Sequence, residues 1–178
     1  MTPDTPGDSA STTFSDPVTA AQLRGVTEDL RTDALAAPEA LKRVWSGVCL
    51  ARLLGLRLAL TDPTWQQRQI NAESVEHQLA RDLGTSATFT DVALSLPDTA
   101  TPLPLAPDEV DDAVAALVEF SGTARQRMLA VAPKAPQWHD ERVLRHDSLV
   151  IAQLAAAWMG ERGSYRAESR QSGGSSSR

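Results

Sequence analysis

Cysteine occurs once in the 178 residues, at Cys49. No disulfide can close within the chain, and no thiolate cluster can hold a metal. Cys49 stands in an apolar helical pattern, where a buried, inert thiol is the ordinary state. Aromatic side chains are only 4% of the sequence. β-branched residues are scattered rather than gathered into short alternating runs, so the pattern of a sandwich or barrel is missing. Lysine appears only as Lys42 and Lys134, and the net charge is −6. An acidic chain binds a phosphate backbone only through a dense local basic patch. Arg125 with Arg127 and Arg142 with Arg145 are isolated pairs, and the arginines near the C-terminus are diluted by Glu161 and Glu168. No nucleic-acid partner is expected. Glycine-rich phosphate loops and a nucleophile elbow are absent. His146-Asp147-Ser148 brings triad residue types together, but neighbours on a helix point apart and cannot act as a triad. Residues 1–15 lack the basic and apolar regions of a signal peptide. The longest apolar stretch, Val44 to Leu60, is interrupted by Arg52 and Arg57 and is short for a bilayer span. These features point to a soluble cytoplasmic protein without a membrane partner.

Alanine and leucine dominate the apolar residues, and they recur at helical spacing. Residues 1–14 are polar and rich in turn-formers, which predicts a disordered segment. Ser15-Asp16-Pro17 reads as a helix start, and Leu23, Val26, Leu30 and Ala34 carry a first helix to about Ala36. From Pro38 to Leu60 the pattern is apolar almost all round, as in a central helix. Asp62-Pro63 caps the next helix, which returns antiparallel to Leu83 with Gly84 as a left-handed terminator. Thr88-Phe89-Thr90 is compatible with an extended segment, and the residues after it with a helical turn or two. Pro97, Pro102, Pro104 and Pro107 mark a stiff crossover strapped over the bundle end. Pro104-Leu105-Ala106-Pro107 belongs to that crossover rather than to an exposed peptide ligand. Val110, Val114, Leu117, Phe120, Ala124, Met128 and Val131 form one stripe, and a short turn at 133–136 leads into a last helix ending near Gly160 or Gly163. Residues 164–178 read as a disordered Ser/Gly-rich tail. The expected fold is all-α. It is an antiparallel bundle of about five helices over residues 15–163, with a Pro-rich crossover between two helical hairpins.

Two charges sit in the wrong places for such a bundle. Asp147 falls near the centre of the apolar arc made by Val143, Val150, Ile151, Leu154 and Trp158. Arg52 lies among Trp45, Val48, Cys49 and Leu56. An unpaired carboxylate in apolar surroundings costs several kcal/mol, so the first expectation is an ion pair between them, or pairing of Arg52 with an edge group such as Glu76. With the pair formed, Asp147→Ala should cost roughly 3–5 kcal/mol. The functional alternative is a polar pocket that holds an anion or small ligand between helices, built from Arg52, Asp147, His146 and Trp45.

Two sets of residues are candidates for metal chemistry. His77, His139 and His146 with Glu73 or Glu76 could form a site between helices, although no Glu-x-x-His pair of the di-metal bundles is present. Glu73-Ser74-Val75-Glu76 and Glu109-Val110-Asp111-Asp112 resemble in order the carboxylate pairs of the all-α nucleotide pyrophosphohydrolases, which hold magnesium. That resemblance implies Glu73, Glu76, Glu109 and Asp112 as ligands. The family's double Glu is absent, because position 72 is Ala. The acids at 108–112 also fill a first helical turn, where they favour the helix dipole.

No catalytic constellation stands clear of these structural readings. The expected function is a non-enzymatic helical interaction module without a cofactor, an adaptor or subunit of a larger assembly. Its apolar second helix, together with Val118 and Leu129 off the main stripe, would meet a protein partner or a second copy. The alternatives are a metal-dependent hydrolase of a nucleotide or small phosphate ester, and a small-ligand sensor.

Overall fold

The computed structural model describes residues 17–32, 34–97 and 102–161. The segments expected to be disordered, 1–14 and 164–178, and the Ser15-Asp16 helix start lie outside them. Five helices make up the fold: α1 (Ala20–Arg31), α2 (Ala37–Thr61), α3 (Gln66–Leu83), α4 (Val110–Val131) and α5 (Trp138–Met159). The fold is all-α, a small helical bundle, with no strand among the described residues.

Local chemistry sets most of the helix ends. α1 starts at Thr19, not at Pro17. The Thr19 side chain accepts from the Gln22 backbone at 3.4 Å, and the Gln22 side chain accepts from the Thr19 backbone at 2.8 Å. This reciprocal capping satisfies two amide donors that a proline start would leave open. α1 ends at Arg31, so Ala34 lies beyond it, exposed. Its buried face is Leu23, Thr27 and Leu30, and the Thr27 hydroxyl is satisfied by the Leu23 carbonyl at 2.9 Å. Pro38 stands in the first turn of α2, where a missing N–H costs nothing. The Asp62 carboxylate accepts from the Thr64 amide at 2.7 Å and caps a single 3₁₀ turn that leads into α3.

Gly84 is not a left-handed terminator: its φ is −61°. The last turn of α3 tightens instead, with Thr85 and Ser86 amides donating to the Asp82 and Leu83 carbonyls, so the chain need not reverse there. The left-handed glycine is Gly160, φ 76°, just past α5.

α2 packs against α1, α3 and α4, while α5 packs against α3 and α4 and meets α2 only lightly. The helices therefore run α2, α3, α5, α4 around the bundle, with α1 in the groove between α2 and α4. Two glycines let this happen. A Cβ on Gly47 would enter the Phe120 ring, and one on Gly55 would meet the Trp158 ring and the Gln69 side chain. By length and composition α2 could cross a bilayer, longer than the interrupted stretch the sequence suggested. Thirteen of its residues are buried against the rest of the fold, as in a core helix.

Cross-links give the helix directions. Arg43 near the start of α2 meets Asp29 near the end of α1 at 3.2 Å, and Arg57 near the end of α2 reaches the Val18 carbonyl at 2.5 Å. Arg68 at the start of α3 donates to the Trp158 carbonyl at the end of α5 at 2.8 Å. Thus α2 and α5 point one way, and α3 and α4 the other. The crossover must then travel the length of the bundle, and it runs along α2 rather than over the end. Arg52 donates to the Pro97 carbonyl at 3.2 Å, Arg57 to the Leu103 carbonyl at 2.9 Å, and the Leu105 amide to the Thr61 hydroxyl at 2.9 Å. A proline-rich strap has no ladder partner, and these side chains supply one. Thr88-Phe89 is not extended: 87–89 form a 3₁₀ turn that buries Phe89.

Candidate functional site

α5 buries three polar residues, Asp140, Asp147 and Ser148. Two of them are satisfied. Asp140 accepts from the Ser86 hydroxyl, from the Thr88 hydroxyl at 2.9 Å and from the Thr88 amide at 3.3 Å. This ties the start of α5 to the chain leaving α3. The Ser148 hydroxyl donates to the Arg145 carbonyl at 2.7 Å.

Asp147 is different. Its exposure is 0%, and neither carboxylate oxygen has a hydrogen-bond partner. Burial, helped by the neighbouring Asp82 charge, pushes its pKa up to about 8. The expected pairing with Arg52 does not form. Arg52 points between α2 and α3, with its guanidinium 3.3 Å from Glu76 and 3.4 Å from Glu73. Since α2 and α5 are diagonal in the bundle, the two residues face different seams. Of the two partners expected for Arg52, the structure shows Glu76.

Glu76 is fully buried, and burial raises its pKa to about 7 against the opposing pull of Arg52. The same seam holds Cys49. Burial first, and then the Glu76 charge, pushes its thiol up to about 12, so it is not a thiolate nucleophile at neutral pH. Trp45 is half-buried and packs against the core. The pocket expected from Arg52, Asp147, His146 and Trp45 is therefore not assembled, because Arg52 and Asp147 do not share a seam.

The metal candidates do not converge either. Nδ1 of His77 lies 2.7 Å from the Glu73 carbonyl of its own helix. His139 is exposed and stacks edge-on against Trp138, ring centroids 5.2 Å apart. Glu109 accepts from the Ala106 amide, and Asp112 is held by Arg24 at 2.6 Å. Glu73 and Glu76 are engaged with Arg52, so the two acidic pairs turn to different neighbours.

His146 alone among these candidates joins a cluster. Its Nε2 lies 3.4 Å from Oδ2 of Asp82, the residue before the last one of α3. Asp82, His146 and Asp147 each offer one ligand atom, and those atoms lie within 4.8 Å of one another. No other such trio occurs among the described residues. Asp82 was missed in the sequence because it follows Arg81 and reads as one of a solvated pair. The signal for it was its place beside Leu83 and three residues after Leu79, on the flank of the buried stripe of α3. Two carboxylates and an imidazole at such an edge can share a proton or hold a cation. No family model, no curated protein and no solved structure matches the chain.

Proposed function

We propose that the protein is a non-enzymatic cytoplasmic interaction module, an adaptor or subunit of a larger assembly, and that it docks through the outer face of α5. The support differs from that expected in the sequence. Most of the apolar excess of α2 is covered by α1, α3 and α4, with Leu60 left exposed at its end, and Val118 packs against the core while Leu129 stays exposed. The observation that carries the reading lies on α5, where no charged residue occurs from Leu149 to Met159. Val150, Ile151, Leu154, Ala157 and Trp158 fill the inner side. Leu149 is 62% exposed and Met159 49%, with half-buried Ala152 and Ala156 between them. A helix side facing water ordinarily carries charge. Small residues one turn apart let a second helix approach closely. The partner to which the reading commits is α5 of a second copy, in a two-fold contact.

Neither alternative assembles from the residues the sequence suggested for it, since of the metal candidates only His146 joins a cluster. The hydrolase candidates point at different neighbours, and the Arg52 seam is taken up by two glutamates. Light scattering over a range of concentrations tests the proposal. The chain should scatter as a dimer, and Ala156→Arg should return it to monomer with its helical spectrum unchanged. A strict monomer at every concentration, or a dimer indifferent to Ala156→Arg, refutes it.

A further inference from the structure

We infer that Asp82, His146 and Asp147 bind one divalent transition-metal ion of the zinc class where the end of α3 meets α5. This goes beyond the docking reading and does not depend on it. Asp147 is fully buried with both oxygens unpartnered, and it faces a second carboxylate whose Oδ2 is also buried without a hydrogen-bond partner. Two carboxylates turned toward one another repel, and a buried polar atom without a partner costs free energy. A dication between them removes both penalties. The nearest cationic side chain on α3, Arg81, does not do so. It reaches the other oxygen of Asp82 at 3.4 Å and is 74% exposed, so its charge is mostly screened by water.

The spacing suits an ion. Ligand atoms on one tetrahedral zinc sit roughly 3.4 Å apart, given bonds of about 2.1 Å. His146 and Asp82 already stand at 3.4 Å, and the whole trio lies within 4.8 Å. Small side-chain rotations close the remainder, chiefly of His146, whose side chain is 54% exposed. The donor set selects the ion: an imidazole with two carboxylates favours zinc and its neighbours, whereas magnesium and calcium want oxygen alone. The exposed imidazole also places the site at the rim of the bundle, where an ion arrives without unfolding it.

The test is a calorimetric titration of full-length, chelator-stripped protein with zinc chloride, with magnesium and calcium chlorides in parallel. Zinc should bind once per chain, at least about a hundredfold tighter than either of the others. His146→Ala alters an exposed side chain and leaves the fold intact, and it should weaken zinc at least about tenfold. Asp147→Asn should do the same, with circular dichroism confirming an unchanged helical content. Failure of the wild type to take up zinc overturns the inference. So does uptake that either substitution leaves unaltered, because the ion would then sit on other residues.

Discussion

Replacing Asp147 by asparagine should stabilise the metal-free protein at neutral pH, the reverse of what an ion pair with Arg52 would require. Asparagine matches the protonated acid in size and polarity but cannot ionise. The folded carboxyl titrates at about 8, against 3.8 for its ordinary value. Below 3.8 both folded and unfolded chains hold the proton, and the two proteins should be equally stable. As pH rises, the unfolded chain releases the proton while the folded chain retains it. Stability drains at about 1.4 kcal/mol per pH unit until the folded group titrates too. At pH 7 the accumulated loss is roughly 4 kcal/mol, a large part of the 5–15 kcal/mol that holds a typical domain together. The Asp147→Asn variant has no proton to release and escapes that loss.

Urea denaturation of both proteins from pH 4 to pH 9 in the presence of a chelator reads this directly. The curves should coincide near pH 4 and separate steadily in favour of the asparagine variant, levelling off above pH 8. Parallel curves refute the reasoning. An asparagine variant weaker at every pH would mean that Asp147 is ionised in the fold and held by a cation, and the seam assignment would fail with it.

Two other substitutions probe the neighbouring seams. Arg52→Gln removes the donor to Pro97 and leaves Glu76 buried beside Glu73 without a cation. It should cost about 3–5 kcal/mol at pH 8 and distinctly less at pH 5, where Glu76, titrating at about 7, already holds a proton; an equal cost at both pH values in urea denaturation would contradict the burial of that charge. Asp140→Ala strands the Ser86 and Thr88 hydroxyls, while the Thr88 amide keeps the Ser86 oxygen as acceptor at 3.0 Å. The expected loss is about 2–4 kcal/mol, with faster amide exchange in the chain just after α3, and a melting temperature that does not move would show the corner to be held by something else.

The helical stripes of α2, α4 and α5 could be read from the sequence because each is a property of one helix. Burial of Asp147 followed from its own wheel, and so did the placing of Arg52 among apolar neighbours, where its side chain is 11% exposed. Their partners did not, because a wheel says which way a side chain faces but not what stands opposite. That depends on the order of the helices around the bundle, and here the order turns on the crossover. A 26-residue connection, from Gly84 to Glu109, can bridge one end of a bundle or run its full length. Proline content fits either course. Only the arginines and the threonine of α2 that bind its carbonyls and amide decide between them, and those contacts are not periodic. Once the strap runs along α2, helices α2 and α5 fall on a diagonal with α3 between them. α3 then supplies an acid to each side. Glu76 and Asp82 are six residues apart, so they project roughly 120° from each other, one to the seam with α2 and the other to the seam with α5. Arg52 receives a carboxylate and is neutralised. Asp147 also receives a carboxylate and is not, and that is why the buried acid needs a proton or a metal ion where the buried base needs neither.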